Sequence, residues 1–256
     1  MKIPNHLEIE LFPVQETGLD IVFQSSFSKE IKGSNFKDQA LFFIDSEQRH
    51  WLWKKLPLIP LIREYLASIL ASELGIRVPR SILAKKGHSI GLIQEWVDSA
   101  KDLASFSKGQ PILTKTELLD LFVFEAWIGA LDRHGGNYLA STEGKLWAID
   151  FEDSFYETVQ GSELCLYYPW IKDSKEELKK AAKKLVLKIS EKQVLEKNKK
   201  FFDLVNILQD LRAKEALTHQ IRQIIELLEK NFAQIDKTVE YFLERSSSLP
   251  PFVLYT

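Results

Sequence analysis

Asp132, Asn137 and Asp150 have the side-chain types and the order that phosphoryl transfer requires. They lie in the stretch AWIGALDRHGGNYLASTEGKLWAIDFEDSFY, residues 126–156. Phosphoryl transfer asks little covalent chemistry of a protein. It needs metal ions bridging phosphates, a cation beside the α- and β-phosphates, and a carboxylate near the acceptor hydroxyl. Asp150 supplies a carboxylate and Asn137 a neutral oxygen, both suited to a hard cation that keeps part of its water. Asp132 is placed to orient an acceptor and take its proton late, and His134 to assist the proton or bind a phosphate oxygen.

A short hairpin must bring these groups together. Asn137 to Ala140 reads as one strand and Leu146 to Ile149 as its return, with the turn formers Ser141-Thr142-Glu143-Gly144 between them. A hairpin returns its end near its start, so Asp150 is expected beside Asn137. The helix expected over Glu117 to Ala130, capped by a threonine and apolar nearly all round, delivers the chain to Asp132.

The upstream elements supply a lysine and a glutamate. LEIELF, LDIVFQ, ALFFID and HWLWKK read as strands. Period-two alternation sends Lys54 and Lys55 to opposite faces, and either one could grip phosphates. The polar segment Phe27 to Asn35 is a candidate phosphate-covering loop. PLIREYLASILASEL, residues 60–74, predicts an amphipathic helix entered at Pro60 and stopped by Gly75. Glu64 is the candidate partner of the lysine, with Glu73 as the alternative. Strands are expected over Arg80 to Ala84 and Ile90 to Val97, so that Glu95, Trp96 and Val97 form a hinge whose backbone faces a nucleobase edge. A short helix or loop is expected over Asp98 to Lys108.

Composition restricts the function classes. At 256 residues the chain holds one large domain or two lobes, and a formal charge of −2 excludes a polyanion binder as a whole. Cys165 is the single cysteine, which excludes an internal disulfide and favours a reducing compartment. The first residues lack a secretory pattern, and the longest apolar stretch, Leu118 to Leu131, is interrupted by Asp120 and Glu125. The sequence predicts a soluble, cytoplasmic protein with no transmembrane segment.

After Tyr156 the pattern is helical in three runs. Lys172–Lys200 contains eleven lysines and five acids. Such a face suits an acidic protein or a phospholipid headgroup, or is a solvated surface. Aromatic residues do not interleave these lysines before Phe201 and Phe202, which disfavours nucleic acid. Two further chemistries compete for the central stretch. A hydrolytic metal centre could use Asp132, His134, Asn137 and Asp150, although five histidines in the chain are few for one. A serine or cysteine nucleophile finds no support, since GxSxG is absent and Cys165 lies in an apolar segment.

DRHGGN resembles the DRHxxN catalytic loop of phosphoinositide 3- and 4-kinases, and WAIDFED resembles their metal-binding IDFG. REYLASILASELGIRVPRSIL followed by GLIQEWV, and FEAWIGALDRHGGNYL, look like the corresponding segments of the compact HipA-like kinases. The resemblance spans roughly residues 35–156. It implies an α+β, bilobal protein-kinase-like fold: a β-rich N-lobe with one helix over 1–97, and a mainly helical C-lobe over 98–256. The catalytic loop would lie at 130–137 and the metal-binding segment at 146–153. It implies ATP and Mg²⁺ in the cleft, Asp132 as catalytic aspartate, and Asn137 and Asp150 as metal ligands. Lys54 or Lys55 would hold phosphates, with Glu64 as ion-pair partner and Glu95 to Val97 as hinge. HipA-like kinases phosphorylate protein Ser or Thr, whereas the DRH loop points to lipid or small-molecule acceptors; a kinase-fold binding module without activity is the third reading. The chain departs from the family at Glu152, where glycine usually follows Asp-Phe, and at Ala130-Leu131 before the aspartate. It also shows no glycine-rich loop.

Overall fold

A computed structural model describes residues 9–11, 29–32, 41–44, 49–86, 89–98, 100–105, 113–157, 160–194 and 198–248. The fold is α+β in two lobes, as the sequence predicts. The first lobe is a six-stranded antiparallel sheet of β1 (Ile9–Leu11), β2 (Lys29–Lys32), β3 (Leu41–Ile44), β4 (His50–Lys54), β5 (Ser81–Lys86) and β6 (Ser89–Glu95), with the order β1-β5-β6-β4-β3-β2. Helix α1 (Leu58–Leu74) packs on it. The centre of the sheet is set by long registers: Leu83 opposes Leu92 in β5–β6, and Trp53 opposes Ile93 in β4–β6. All four of these side chains are buried.

α1 follows its sequence signals. Its apolar residues recur on one side, and Leu61, Ile62, Leu66, Leu70 and Leu74 are buried. It starts two residues earlier than expected, after Pro57, and ends where Gly75 takes a left-handed conformation, its N–H returning to Ala71 and Ser72 carbonyls. The strand over 90–97 is shorter than expected and stops at Glu95. LDIVFQ and His88 lie outside the described residues, as do half of LEIELF and most of the tail. Of the candidate phosphate loop, residues 29–32 form strand β2 rather than a loop, and the remainder lies outside the described residues.

The second lobe is built around α2 (Lys115–Ile128). Thr114 caps it by accepting the Glu117 N–H at 3.3 Å, and Gly129 closes it in the left-handed region. Because α2 is apolar on every side, it is the central helix. After the short α3 (Leu164–Tyr167), α4 (Lys175–Glu191), α5 (Leu211–Ala233) and α6 (Ile235–Ser247) surround it. Phe122 meets Phe242 of α6 with ring centroids 4.9 Å apart. The last helical run breaks at Gln234 into α5 and α6, where one continuous helix was expected. Residues 198–207 wind as a 3-10 helix instead of an α-helix. A three-stranded sheet, β7 (Ala100–Asp102), β8 (Tyr138–Ser141) and β9 (Leu146–Ala148), lies beneath the cleft. Within 98–108 the expected helix or loop is thus replaced by strand β7, followed by a 3-10 turn. No described helix is long and apolar enough to cross a membrane.

Candidate active site

Between the lobes lies a cleft of about 670 Å³. β4, the end of β6, and the hairpin β8–β9 border it. Lys54, Glu95, Trp96, Val97, Asp150 and Glu152 are among its walls.

The alternation left open in the sequence is resolved on β4. Lys54, with a side chain 15% exposed, reaches Glu64 Oε1 at 3.4 Å and donates to Asp150 Oδ1. Lys55 is exposed at the cleft wall. Burial alone would lower the Lys54 pKa; Glu64 and Asp150 outweigh it and hold the ammonium above its ordinary range. Glu64 is fully buried on α1 and accepts at both oxygens. Lys54 and Gln94 Nε2 (3.2 Å) bond Oε1, and the Phe151 N–H bonds Oε2. Glu73, at the far end of α1, is not among these partners; its carbonyl receives Lys192 Nζ.

The hairpin forms with the expected return. The Ile149 N–H donates to the Asn137 carbonyl at 2.9 Å, which sets Asp150 directly after Asn137's cross-strand partner. Asn137 itself ends a 3-10 turn (Gly135–Asn137) rather than starting a strand. Its Oδ1 accepts the His134 N–H at 3.2 Å, while His134 Nδ1 accepts the Gly136 N–H at 3.0 Å. With Nδ1 accepting, a neutral His134 carries its proton on Nε2, which lies 3.7 Å from Asp132 Oδ2. Asp132 and His134 stand at the mouth of the loop, 65% and 49% exposed. Asp132 and Asp150 both hold positive φ, 47° and 56°. Asp tolerates this region better than most residues, but neither position is relaxed.

Glu152 shares the cleft wall with Asp150. Burial, then repulsion from Asp150, pushes its carboxyl up, against the pull of Lys54. The departure from glycine therefore adds an acid whose charge is already disfavoured.

A buried polar group beneath the loop escaped the sequence reading. Arg133 is buried and pairs with fully buried Glu125 at 2.9 Å. Its other N–H groups reach the carbonyls of Ile149 (2.8 Å), Asp150 (2.9 Å) and Asn137 (3.4 Å). Burial disfavours the guanidinium charge, and Glu125 reverses this and keeps it ionised. Glu125 also accepts from the Tyr138 hydroxyl at 3.0 Å, which is hydrogen-bonded to Ser162 Oγ at 2.7 Å. The Ser162 N–H donates to Ser246 Oγ of α6 at 2.8 Å. The signal that could have found the pair was an acid inside an otherwise apolar helix, since a buried carboxylate requires a cation.

Part of the lysine-rich segment is engaged with the body of the protein. Lys184 of α4 pairs with Asp120, and Lys188 and Lys192 donate to the Leu74 and Glu73 carbonyls at the end of α1, while Lys179 pairs with Glu176 on α4 itself. The described residues contain no group of three or more His, Cys, Asp or Glu side chains set to hold a metal.

No family model matches the chain, and no curated protein matches its sequence. Among solved structures the chain is similar to the Helicobacter pylori proinflammatory kinase CtkA. The match has a TM-score of 0.51 and 13% sequence identity, covering 82% of this chain and 95% of that one. At that identity the likeness is one of fold, and it is the bilobal kinase-like fold.

Proposed function

We propose that this kinase-like fold carries an ATP- and Mg²⁺-dependent phosphotransferase, acting on a hydroxyl acceptor. The observation that carries the proposal is the position of Lys54, between buried Glu64 and Asp150 on the wall of the inter-lobe cleft. A structural ion pair would be satisfied by buried Glu64 alone, whereas a phosphate-binding lysine must be oriented by one acid and poised beside a metal ligand at the cleft.

In this reading residues 1–97 form the nucleotide-binding lobe and 98–256 the lobe with the catalytic loop. The Glu95 and Trp96 N–H groups are used by the Arg80 and His50 carbonyls, both at 2.8 Å. The Val97 N–H is therefore the hinge group assigned to the adenine edge, the Val97 carbonyl accepting the Ala100 N–H at 3.3 Å. Asp150 and Asn137 would hold Mg²⁺. Their donor set fits it, being one carboxylate and one amide oxygen, and the Asn137 oxygen keeps a second lone pair beyond its bond to His134. Bound Mg²⁺ neutralises charge on the phosphates. Lys54 leaves Asp150 for the phosphates while Glu64 keeps its ammonium in place. The acceptor oxygen attacks the γ-phosphorus, the bond to ADP breaks, and the hydroxyl proton passes to Asp132, with His134 Nε2 orienting that carboxylate.

The acceptor is Ser or Thr of a protein in a HipA-like manner, a reading supported by the order of the sequence motifs around DRHGGN. A phosphoinositide or small-molecule acceptor is the second reading, favoured by the DRH loop. The engagement of Lys184, Lys188 and Lys192 with α1 and α2 removes part of its support. The test is nucleotide binding by calorimetry with and without Mg²⁺, in wild type and Asp150→Ala. Binding strengthened by Mg²⁺ and weakened in the variant is expected, and failure of any nucleotide to bind sinks the proposal. Labelled ATP with protein and lipid-headgroup panels then separates the acceptors.

A further inference from the structure

A single peptide unit, Asp150–Phe151, is held at both ends by charged residues from opposite lobes. Its carbonyl accepts Arg133 Nη1 at 2.9 Å, and its N–H donates to Glu64 Oε2. Arg133 belongs to the catalytic loop and is anchored by Glu125 of α2; Glu64 belongs to α1 and is anchored by Lys54 and Gln94. Two buried ion pairs, one per lobe, thus meet across one peptide plane. The residue ahead of that plane is Asp150, held at φ 56°.

We infer that Arg133 is a positioning residue that fixes the Asp150–Phe151 peptide and, through it, the presentation of the Asp150 carboxylate. The mechanistic half of the inference rests on the proposed metal role of Asp150. Arg133 touches neither substrate nor metal in it. Arg133 acts through three carbonyls, those of Ile149, Asp150 and Asn137, so both proposed metal ligands are referred to one guanidinium. The planar fork matters, because Nε faces Glu125 while Nη1 spans two successive carbonyls. A lysine at the same place keeps the charge for Glu125 but cannot span both carbonyls. The Phe151 ring lies 4.5 Å from the guanidinium carbon, so the residue following the peptide is held by the same group.

The test compares Arg133→Lys with wild type and uses two readouts on the full chain. The first is exchange of the Phe151 amide hydrogen, followed by NMR without nucleotide. Loss of the second hold on the peptide is expected to speed it about tenfold, with amides of α5 unchanged. The second is the Mg²⁺ concentration that half-saturates the metal-dependent gain in ATP-analogue affinity, expected to rise about tenfold while metal-free affinity is kept. Glu125→Gln should move both in the same direction by less, because Arg133 remains. Wild-type Phe151 exchange in Arg133→Lys overturns the inference. So does a general rise in exchange that includes α5, since that marks a stability loss only. Faster Phe151 exchange in a protein whose wild type shows no Mg²⁺-dependent nucleotide binding supports the positioning role and refutes the proposed function, so the two failures are distinguishable.

Discussion

Replacing Glu64 by glutamine changes almost no volume and should still be costly, for a reason visible in the directions of its hydrogen bonds. Glu64 Oε1 accepts from Lys54 and Gln94, and Oε2 accepts from the Phe151 N–H. An amide offers one acceptor and one donor. If its oxygen takes the Oε1 place, its NH₂ opposes the Phe151 N–H; if it takes the Oε2 place, NH₂ opposes both Lys54 and Gln94. Either orientation buries a donor–donor contact in a residue with no solvent exposure. Hydrogen bonds to a buried charge contribute about 1.5–3 kcal/mol net, and an unsatisfied partner adds to the loss. Lys54 keeps its bond to Asp150, whose side chain is 40% exposed, so part of its pairing survives. The sum is a destabilisation of about 2–4 kcal/mol, or a fall in Tm of roughly 5–12 °C for a chain of this size. Scanning calorimetry and urea titration would measure it, with Glu73→Gln on the same helix as the control. A double-mutant cycle with Lys54→Met should give a coupling of at least about 1 kcal/mol. A Glu64→Gln Tm within about 2 °C of the control would refute the reasoning, as would a coupling near zero.

Three further outcomes are expected. Glu152 has a folded pKa above its ordinary 4.5, so ionising it costs stability as pH rises through and beyond that value. Glu152→Gln should therefore melt higher than wild type at about pH 8, and the difference should vanish at about pH 4. Gly129→Ala places a side chain at φ 63° with its Cβ 2.2 Å from the Tyr156 carbonyl oxygen, and should cost about 2–3 kcal/mol by urea unfolding. Asp132→Ala should lower phosphate transfer about 100-fold or more in a labelled-ATP assay. Its Tm should fall by only about 2–4 °C, because the Asp132 side chain is mostly exposed at the loop mouth and the cost is that of alanine at φ 47°.

The parts of the site that were legible in the sequence depend on local order. The hairpin that returns Asp150 toward Asn137 follows from apolar runs around Gly144, and α1 and α2 carry their own start and stop residues. Lys54 and Lys55 could not be separated, because alternation assigns two faces without saying which one meets α1. The tryptophans drew attention to the Lys55 face, while Lys54 shares its face with half-buried Leu52 and reaches Glu64. Strand β7 had no signal of its own. Its three residues, Ala100–Asp102, are ordered by pairing with β8, with Ala100 opposite Ser141. Arg133 was visible as a motif letter but not as an anchor, since its carbonyl partners and Glu125 are fixed only once α2 and the hairpin pack. The break at Gln234 was equally hidden, as apolar spacing continues through it.

The contact between Ser162 and Ser246 has a consequence for biosynthesis. The Gly161 backbone passes so close to α6 that a Cβ there would lie 2.4 Å from the Ser246 nitrogen, and Ser246 accepts the Ser162 N–H across 84 positions of sequence. The hydroxyl chain that satisfies Glu125 thus rests on a helix synthesised more than 100 residues after that acid. A nascent chain can close the sheet of the first lobe and the hairpin once residues 95 and 149 have emerged. It cannot floor the loop of residues 132–137 until α6 has emerged, and such a distant closure is intrinsically slow. A ribosome stalled ahead of residue 246 would then carry a cleft without a settled loop.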